Sequence, residues 1–203
     1  FIANEFASIG DLPEGSTIGT SSLRRRSQLA ALRPDLEIVD LRGNLDTRLR
    51  KLDEGQFQAI ILAAAGLNRL GMSSRATGYF SAKEMLPAVG QGALGIELRK
   101  DDDELLAGLS FLNDDKTTVA VAAERSFLSR LEGGCQVPIG AFAKVDNGEV
   151  EVTGLVASID GKVVLKESLK GPSEEAQQLG TQLANKLLDM GARDILAEVY
   201  EQE

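Results

Sequence analysis

Residues 16–66 read STIGTSSLRRRSQLAALRPDLEIVDLRGNLDTRLRKLDEGQFQAIILAAAG, and this stretch decides the fold. Ser16–Thr20 reads as a short strand. Ser21 and Ser22 are side chains suited to capping a helix start. The helix they open carries Leu23, Leu29, Ala30 and Leu32 and is stopped by Pro34. Glu37–Leu41 is a second strand. Gly43-Asn44 then leads into a helix with Leu45, Leu49 and Leu52 on one face, closed by Gly55. Gln58–Ala65 is near-continuous in apolar residues, as buried parallel strands are, and Gly66 ends it. The β-α-β-α-β order predicts right-handed crossovers and a parallel sheet.

Further along, Leu86-Pro87-Ala88-Val89-Gly90-Gln91-Gly92 interrupts the pattern and reads as a hinge. Ala93–Leu98 reads as another strand, and Asp101–Glu104 as a solvated helix start. From about Asp115 the style changes. Thr117–Leu131 is a helix ended by Gly133-Gly134. Strands Ile139–Val145, Glu149–Ile159 and Lys162–Leu169 follow, separated by Asn147-Gly148 and Asp160-Gly161. Both dipeptides signal type I′ hairpin turns. Ser173 caps a helix with Ala176, Leu179, Leu183, Leu187 and Met190 at helical spacing; Gly191 ends it, and Asp194–Tyr200 is a short last helix. The predicted fold class is α/β plus α+β: a parallel-sheet domain, then a small α+β domain with a three-stranded antiparallel sheet. The boundaries fall at residues 1–86, 87–114 and 115–203.

Composition excludes several chemistries. The chain has no histidine, so it holds no Ser-His-Asp or Cys-His pair and no HExxH zinc site. A single cysteine, Cys135, excludes an internal disulfide, a CxxC redox motif and a cysteine-rich zinc site. A lone thiol favours a reducing compartment, so the expected location is cytoplasmic. The longest apolar run, Ala59–Leu67, is far short of the ~20 residues of a membrane span. A net charge of −9 argues against non-specific nucleic-acid binding. That charge is uneven: residues 1–86 hold 11 basic and 10 acidic side chains, and 9 of the 11 are arginine, the residue that grips carboxylate and phosphate.

The arginines fall in informative places. Arg24, Arg25 and Arg26 occupy the first turn of the first helix, where the macrodipole disfavours cations by a few tenths of a kcal/mol each. An anion reverses that sign by accepting the free N–H groups, a serine hydroxyl and the guanidinium forks together. Arg42 follows the second strand with Arg48 one turn into the next helix, and Arg69 follows the third. In an open parallel sheet the C-terminal strand ends line one ligand crevice. The pattern therefore points to a polyanion with several carboxylates or phosphates. The bland reading is chance plus surface pairing with Asp40, Asp46 or Glu37. No P-loop or GxGxxG is present, which disfavours a nucleotide. Cys135, after two glycines and before a strand, belongs on a loop. From the residues alone it is either a buried small apolar side chain or a covalent attachment point.

Four stretches carry a family resemblance: Gly19–Arg25, Leu41–Asn44 with Thr47-Arg48-Leu49, Leu86–Ala93, and Leu131-Glu132-Gly133-Gly134-Cys135-Gln136-Val137-Pro138-Ile139-Gly140. Over nearly its whole length the chain resembles the porphobilinogen deaminases, or hydroxymethylbilane synthases. The resemblance implies a transferase of porphyrin and haem biosynthesis. It joins four porphobilinogen molecules head to tail, releasing ammonia each time, to give linear hydroxymethylbilane. It also implies a dipyrromethane cofactor bound by a thioether to Cys135. By motif match, Thr20, Ser22, Arg24, Arg25, Arg42 and Arg48 bind the cofactor, and Arg69 and Gln91 bind substrate, with Gln91 in the hinge. The family's catalytic aspartate lies in a first domain that the resemblance does not find here. No residue of this chain takes its role, no metal is implied, and this chain alone is expected to be inactive.

By the same resemblance, residues 1–86 are a periplasmic-binding-protein-like second domain and 115–203 a third. Roughly residues 93–110 return to the first domain, which leaves Ala93, Leu94 and Ile96 without partners: disordered, repacked or covered by another chain. The expected partner is porphobilinogen, with no nucleic acid or membrane, and the full-length enzyme is expected to be a monomer. Two other readings stand beside this one. A periplasmic-type anion-binding module needs no Cys135 loop, and nucleic-acid binding through Arg24–Arg26 is opposed by the net charge and the few aromatics.

Overall fold

The computed structural model describes residues 1–132 and 137–201. Strands β1 (Thr17–Gly19), β2 (Glu37–Val39) and β3 (Ala59–Ile60) form a parallel sheet in the order β2-β1-β3. Helix α1 (Leu23–Leu32) joins the first two strands and α2 (Leu45–Asp53) the next two. One side of this sheet packs Ile18, Leu29, Leu36 and Ala59 with Leu12. The other packs Leu41, Leu49, Leu52 and Ile60 with Ile2. The expected βαβαβ unit is therefore present, with Leu32 as an exception: it is exposed on the outer side of α1.

The third strand is shorter than its apolar run predicts. Its ladder stops at Ile60, because β1 offers only three residues and Ile2 pairs antiparallel to Ile60 on the far side. The chain then turns into α3 (Ala64–Arg69), so Gly66 lies inside a helix. Ala93–Leu98 is likewise not a strand; it makes no ladder among the described residues, and Leu94 is 95% and Ile96 58% exposed. It is followed by α4 (Asp103–Leu109), capped by Asp102, whose carboxylate accepts the Leu105 N–H.

The C-terminal unit stacks α5 (Asp115–Arg130), α6 (Ala176–Leu187) and α7 (Arg193–Tyr200) on one face of an antiparallel sheet. Its strands β4 (Ile139–Asp146), β5 (Glu149–Ala157) and β6 (Val164–Pro172) pair in order. Strand alternation sorts β5 by face. Val150, Val152 and Val156 join the helices, whereas Leu155 and Ala157 meet Leu86 of the hinge segment. Asn147 and Gly148 both have positive φ (49° and 79°), as a type I′ turn requires.

The other predicted I′ turn differs. Only Gly161 has positive φ, and the loop spans residues 158–163, closed by Ser158 N–H donating to the Val163 carbonyl (2.9 Å). Its tip lies on α1: a Cβ on Gly161 would run into the Ala31 nitrogen. Ser173 makes no capping hydrogen bond; a single 3-10 turn, Ser173–Glu175, leads into α6 instead. Met190 is 44% exposed rather than buried, since Gly191 (φ 106°) kinks the chain just after it.

Candidate functional site

The turn from β1 into α1 is fixed by its own polar side chains. The Thr20 N–H donates to the Val39 carbonyl (2.9 Å) and the Thr20 hydroxyl accepts the Ser22 N–H (3.3 Å). The Ser21 hydroxyl donates to the Leu41 carbonyl (2.9 Å). The Ser22 hydroxyl caps α1 by accepting the Arg25 N–H (3.4 Å). Three consecutive arginines thus leave a rigid helix start in three directions.

Arg26 points outward to Asp40 (3.0 Å), which also receives Arg42 (3.5 Å). Arg24 points inward and is 7% exposed. Its Nη1 donates to the Leu86 carbonyl and its Nη2 to Gln91 Oε1 (3.4 Å). Arg25 Nη1 donates to the Ile61 carbonyl (3.0 Å), just past β3. Arg48, at the start of α2, donates from Nε to the Gly43 carbonyl (2.7 Å). Among the described residues, Arg24, Arg25 and Arg48 make no ion pair with a carboxylate. Burial, and then the charge of Arg25, lowers Arg24 to about 10. Burial, and then Arg48, lowers Arg25. Three neighbouring cations therefore repel one another without a compensating anion, an arrangement whose desolvation cost an anionic ligand would offset.

Arg24, Arg25 and Gln91 share a cavity of about 160 Å³ whose apolar wall includes Ile61, Leu67 and Met85. An apolar wall opposite two guanidinium groups and a helix start suits a flat ring bearing carboxylates. A larger space, about 530 Å³, opens on the far side of α1 beside Asp160 and Glu198. Its arginine, Arg26, is already paired with Asp40, so it lacks the free positive charge of the smaller cavity.

The structure brings together Thr20, Ser22, Arg24, Arg25, Arg48 and Gln91, and leaves two arginines apart. Arg42 lies on the rim with its side chain 85% exposed. Arg69 is not at a strand end. The chain turns helical after Ile60 and carries it to the last turn of α3, where it is exposed. Cys135 lies outside the described residues; of the nearest described residues on either side, Glu132 accepts the Tyr200 hydroxyl on its carbonyl (2.9 Å) and Val137 is buried.

Two buried polar side chains escaped the sequence reading. Gln28 accepts the Leu86 N–H on Oε1 (2.7 Å) and donates from Nε2 to the Leu86 carbonyl (3.1 Å). Glu124 accepts the Gly90 N–H (2.6 Å) and the Ala143 N–H (2.8 Å), and burial raises its carboxyl above the usual range. Its place beside Ala123 on the apolar stripe of α5, with Phe127 one turn on, was the available signal. Among the described residues no helix is long and apolar enough to cross a membrane, and no group of acidic, histidine or cysteine side chains is placed to hold a metal ion.

Two family models cover most of the chain. One described as "Porphobilinogen deaminase, dipyromethane cofactor binding domain" matches residues 1–107. Another described as "Porphobilinogen deaminase, C-terminal domain" matches residues 118–189. A porphobilinogen deaminase of Ruthia magnifica is 53% identical over 97% of this chain and 64% of its own length. That of Syntrophobacter fumaroxidans is 56% identical over 95% of this chain and 62% of its own. That of Geotalea uraniireducens is 51% identical over 95% and 61%. The chain thus spans a little under two thirds of the length of these curated relatives. With both family models matching in order and half the residues identical to these relatives, the chain belongs to the porphobilinogen deaminase family.

Proposed function

We propose that this chain is the carboxylate-binding and cofactor-carrying part of a hydroxymethylbilane synthase. Such an enzyme condenses four porphobilinogen molecules with release of ammonia. The observation that carries the reading is a buried Arg24 and a half-buried Arg25 at one helix start without a carboxylate partner among the described residues. Each porphobilinogen ring bears an acetate and a propionate, so a growing chain of rings is the polycarboxylate such a site needs. A dipyrromethane cofactor has the same two groups on each of its rings and fits the same donors. When bound, it would supply the free pyrrole position to which the first unit is added.

The chain's own residues divide the work. Cys135 anchors the cofactor by a thioether. Arg24, Arg25 and Arg48 hold carboxylates of the bound rings; Thr20 and Ser22 fix the helix start that presents them. Gln91 holds Arg24 in place beside incoming substrate. Arg42 on the rim and Arg69 on α3 meet carboxylates at the cleft's outer edge. The apolar wall excludes water from the rings and strengthens each ion pair.

No residue here takes the role of the acid–base aspartate, which we place in the part of the relatives' length that this chain does not match. The chain then corresponds to the C-terminal two-thirds of such an enzyme, and alone it forms no hydroxymethylbilane. Residues 1–86 make the periplasmic-binding-protein-like anion domain, 87–114 the hinge and the segment reaching toward the remaining part, and 115–203 the cysteine-bearing domain. The exposed Leu94 and Ile96 fit that division. The whole enzyme acts as a monomer in the cytoplasm.

Intact mass and peptide mapping test the reading. They are applied to the chain extended to its relatives' full length and incubated with porphobilinogen. A two-pyrrole increment on Cys135 is expected. An unmodified thiol would contradict it and favour a module that binds anions without chemistry.

A further inference from the structure

Leu86 is the first residue of the segment joining the two units, and it is 1% exposed. Among the described residues neither its N–H nor its carbonyl has a backbone partner. A buried peptide left in this state loses its hydrogen bonds to water without replacement. The Gln28 amide supplies both partners. Its Oε1 accepts the Leu86 N–H (2.7 Å), and its Nε2 donates to the Leu86 carbonyl (3.1 Å). It thus imitates the neighbouring strand of a β-ladder. The same Nε2 donates to the Arg24 carbonyl one turn back on α1 (3.0 Å). The carbonyl that Gln28 fixes is also the one that receives Arg24 Nη1. An amide offers a donor and an acceptor side by side without adding charge next to Arg24.

The far side of the segment is tied to the C-terminal unit. The Pro87 carbonyl accepts the Ala141 N–H (3.1 Å), and Gly90 N–H donates to Glu124 (2.6 Å). Leu86 itself packs on Leu155 and Ala157 of β5. Gln28 therefore sits where the anion-binding helix and the C-terminal unit share one peptide group.

We infer that Gln28 is a positioning residue of the carboxylate site. By clamping the Leu86 peptide it sets the direction of the Arg24 guanidinium, keeping the donors that Leu86 and Gln91 leave free turned toward the cavity. This rests on the carboxylate-binding reading above.

The test is a double-mutant cycle on the whole 203-residue chain. Porphobilinogen binding is measured by calorimetry for Gln28→Met, Arg24→Met and the double variant, with thermal unfolding in parallel. Met keeps the volume of Gln and removes its polar atoms. Each single change is expected to weaken binding about tenfold, as for a lost charge-assisted hydrogen bond, while the double variant binds about as weakly as Arg24→Met alone. The two losses of thermal stability, in contrast, are expected to accumulate. A merely structural role for Gln28 would give factors on binding that multiply. That result, or wild-type binding by Gln28→Met beside weakened binding by Arg24→Met, overturns the inference and leaves the carboxylate site standing. Wild-type binding by both Arg24→Met and Arg25→Met overturns the two together. If Gln28→Met does not unfold cooperatively, Gln28→Asn replaces it in the cycle. Its amide is too short to span both Leu86 groups, so the same pattern is expected.

Discussion

A guanidinium that is 7% exposed with no carboxylate partner among the described residues is an unusual residue, and Arg24 is one. Sequence position alone flagged it, because cations in the first turn of a helix oppose the macrodipole. The buried Gln28 and Glu124 gave weaker signals. Each pairs with a backbone group of the joining segment, 58 and 34 residues away respectively, and such pairing leaves no motif. Glu124 joins that segment to α5 and β4 through both carboxylate oxygens. Replacing it by Gln turns an NH₂ toward one of the two N–H donors and is expected to cost about 1–3 kcal/mol in denaturant unfolding. Its carboxyl is held above the ordinary range by burial, so it binds a proton more readily in the folded chain than in the unfolded one. Stability relative to Glu124→Gln should therefore rise as pH falls through that raised value toward the ordinary one, and the gain should be absent at neutral pH. A gap between the two proteins that is constant from neutral pH to the ordinary carboxyl range would contradict this.

At the scale of elements, local cap and turn signals held at Ser22, which caps α1, and at Asn147-Gly148, and failed at Ser173 and at Asp160-Gly161. Ser22→Ala is expected to cost about 1 kcal/mol in thermal unfolding. The misread elements share one cause: local pattern cannot see what lies alongside. The apolar run after Gln58 looked like a long strand, but a three-residue β1 sets the ladder length. Ala93–Leu98 alternates like a strand yet meets no neighbouring strand among the described residues. Gly161 looked like half of a tight hairpin, and it is instead the contact between the β5–β6 loop and the back of α1. Gly161→Ala puts a Cβ into the α1 backbone at a positive φ and is expected to cost about 2–4 kcal/mol, combining overpacking with left-handed strain. A melting temperature equal to wild type would show that the loop moves away freely.

Across the whole molecule, the contacts between the two units among the described residues include the Gly161 loop on α1, the Leu86 contact with β5, the Glu124 bridge to Gly90 and the Lys166 bond to the Lys83 carbonyl. The cavity of Arg24 and Arg25 is lined by the first unit together with Pro87 and Gln91 of the joining segment. The division into an α/β and an α+β unit was readable from the change of pattern near Asp115; the way they dock was not, since it uses a glycine and two polar side chains with ordinary neighbours. The segment 93–98 stands outside both cores, with Leu94 95% exposed. Its amides are expected to exchange as fast as those of open loops, while Leu183 and Leu187 in the core of α6 exchange slowly. Core-like protection of 93–98 in a monomeric sample would contradict the exposure described.

The central claim is that Arg24 and Arg25 together form a carboxylate site, and calorimetric titration of the chain with porphobilinogen tests it most directly. Arg25→Met is compared with wild type at low and moderate salt. Saturable binding by wild type is expected, weakened about tenfold or more in Arg25→Met, as for one lost charge-assisted contact. Binding of equal strength in both proteins would mean that Arg25 holds no carboxylate and that the site lies elsewhere.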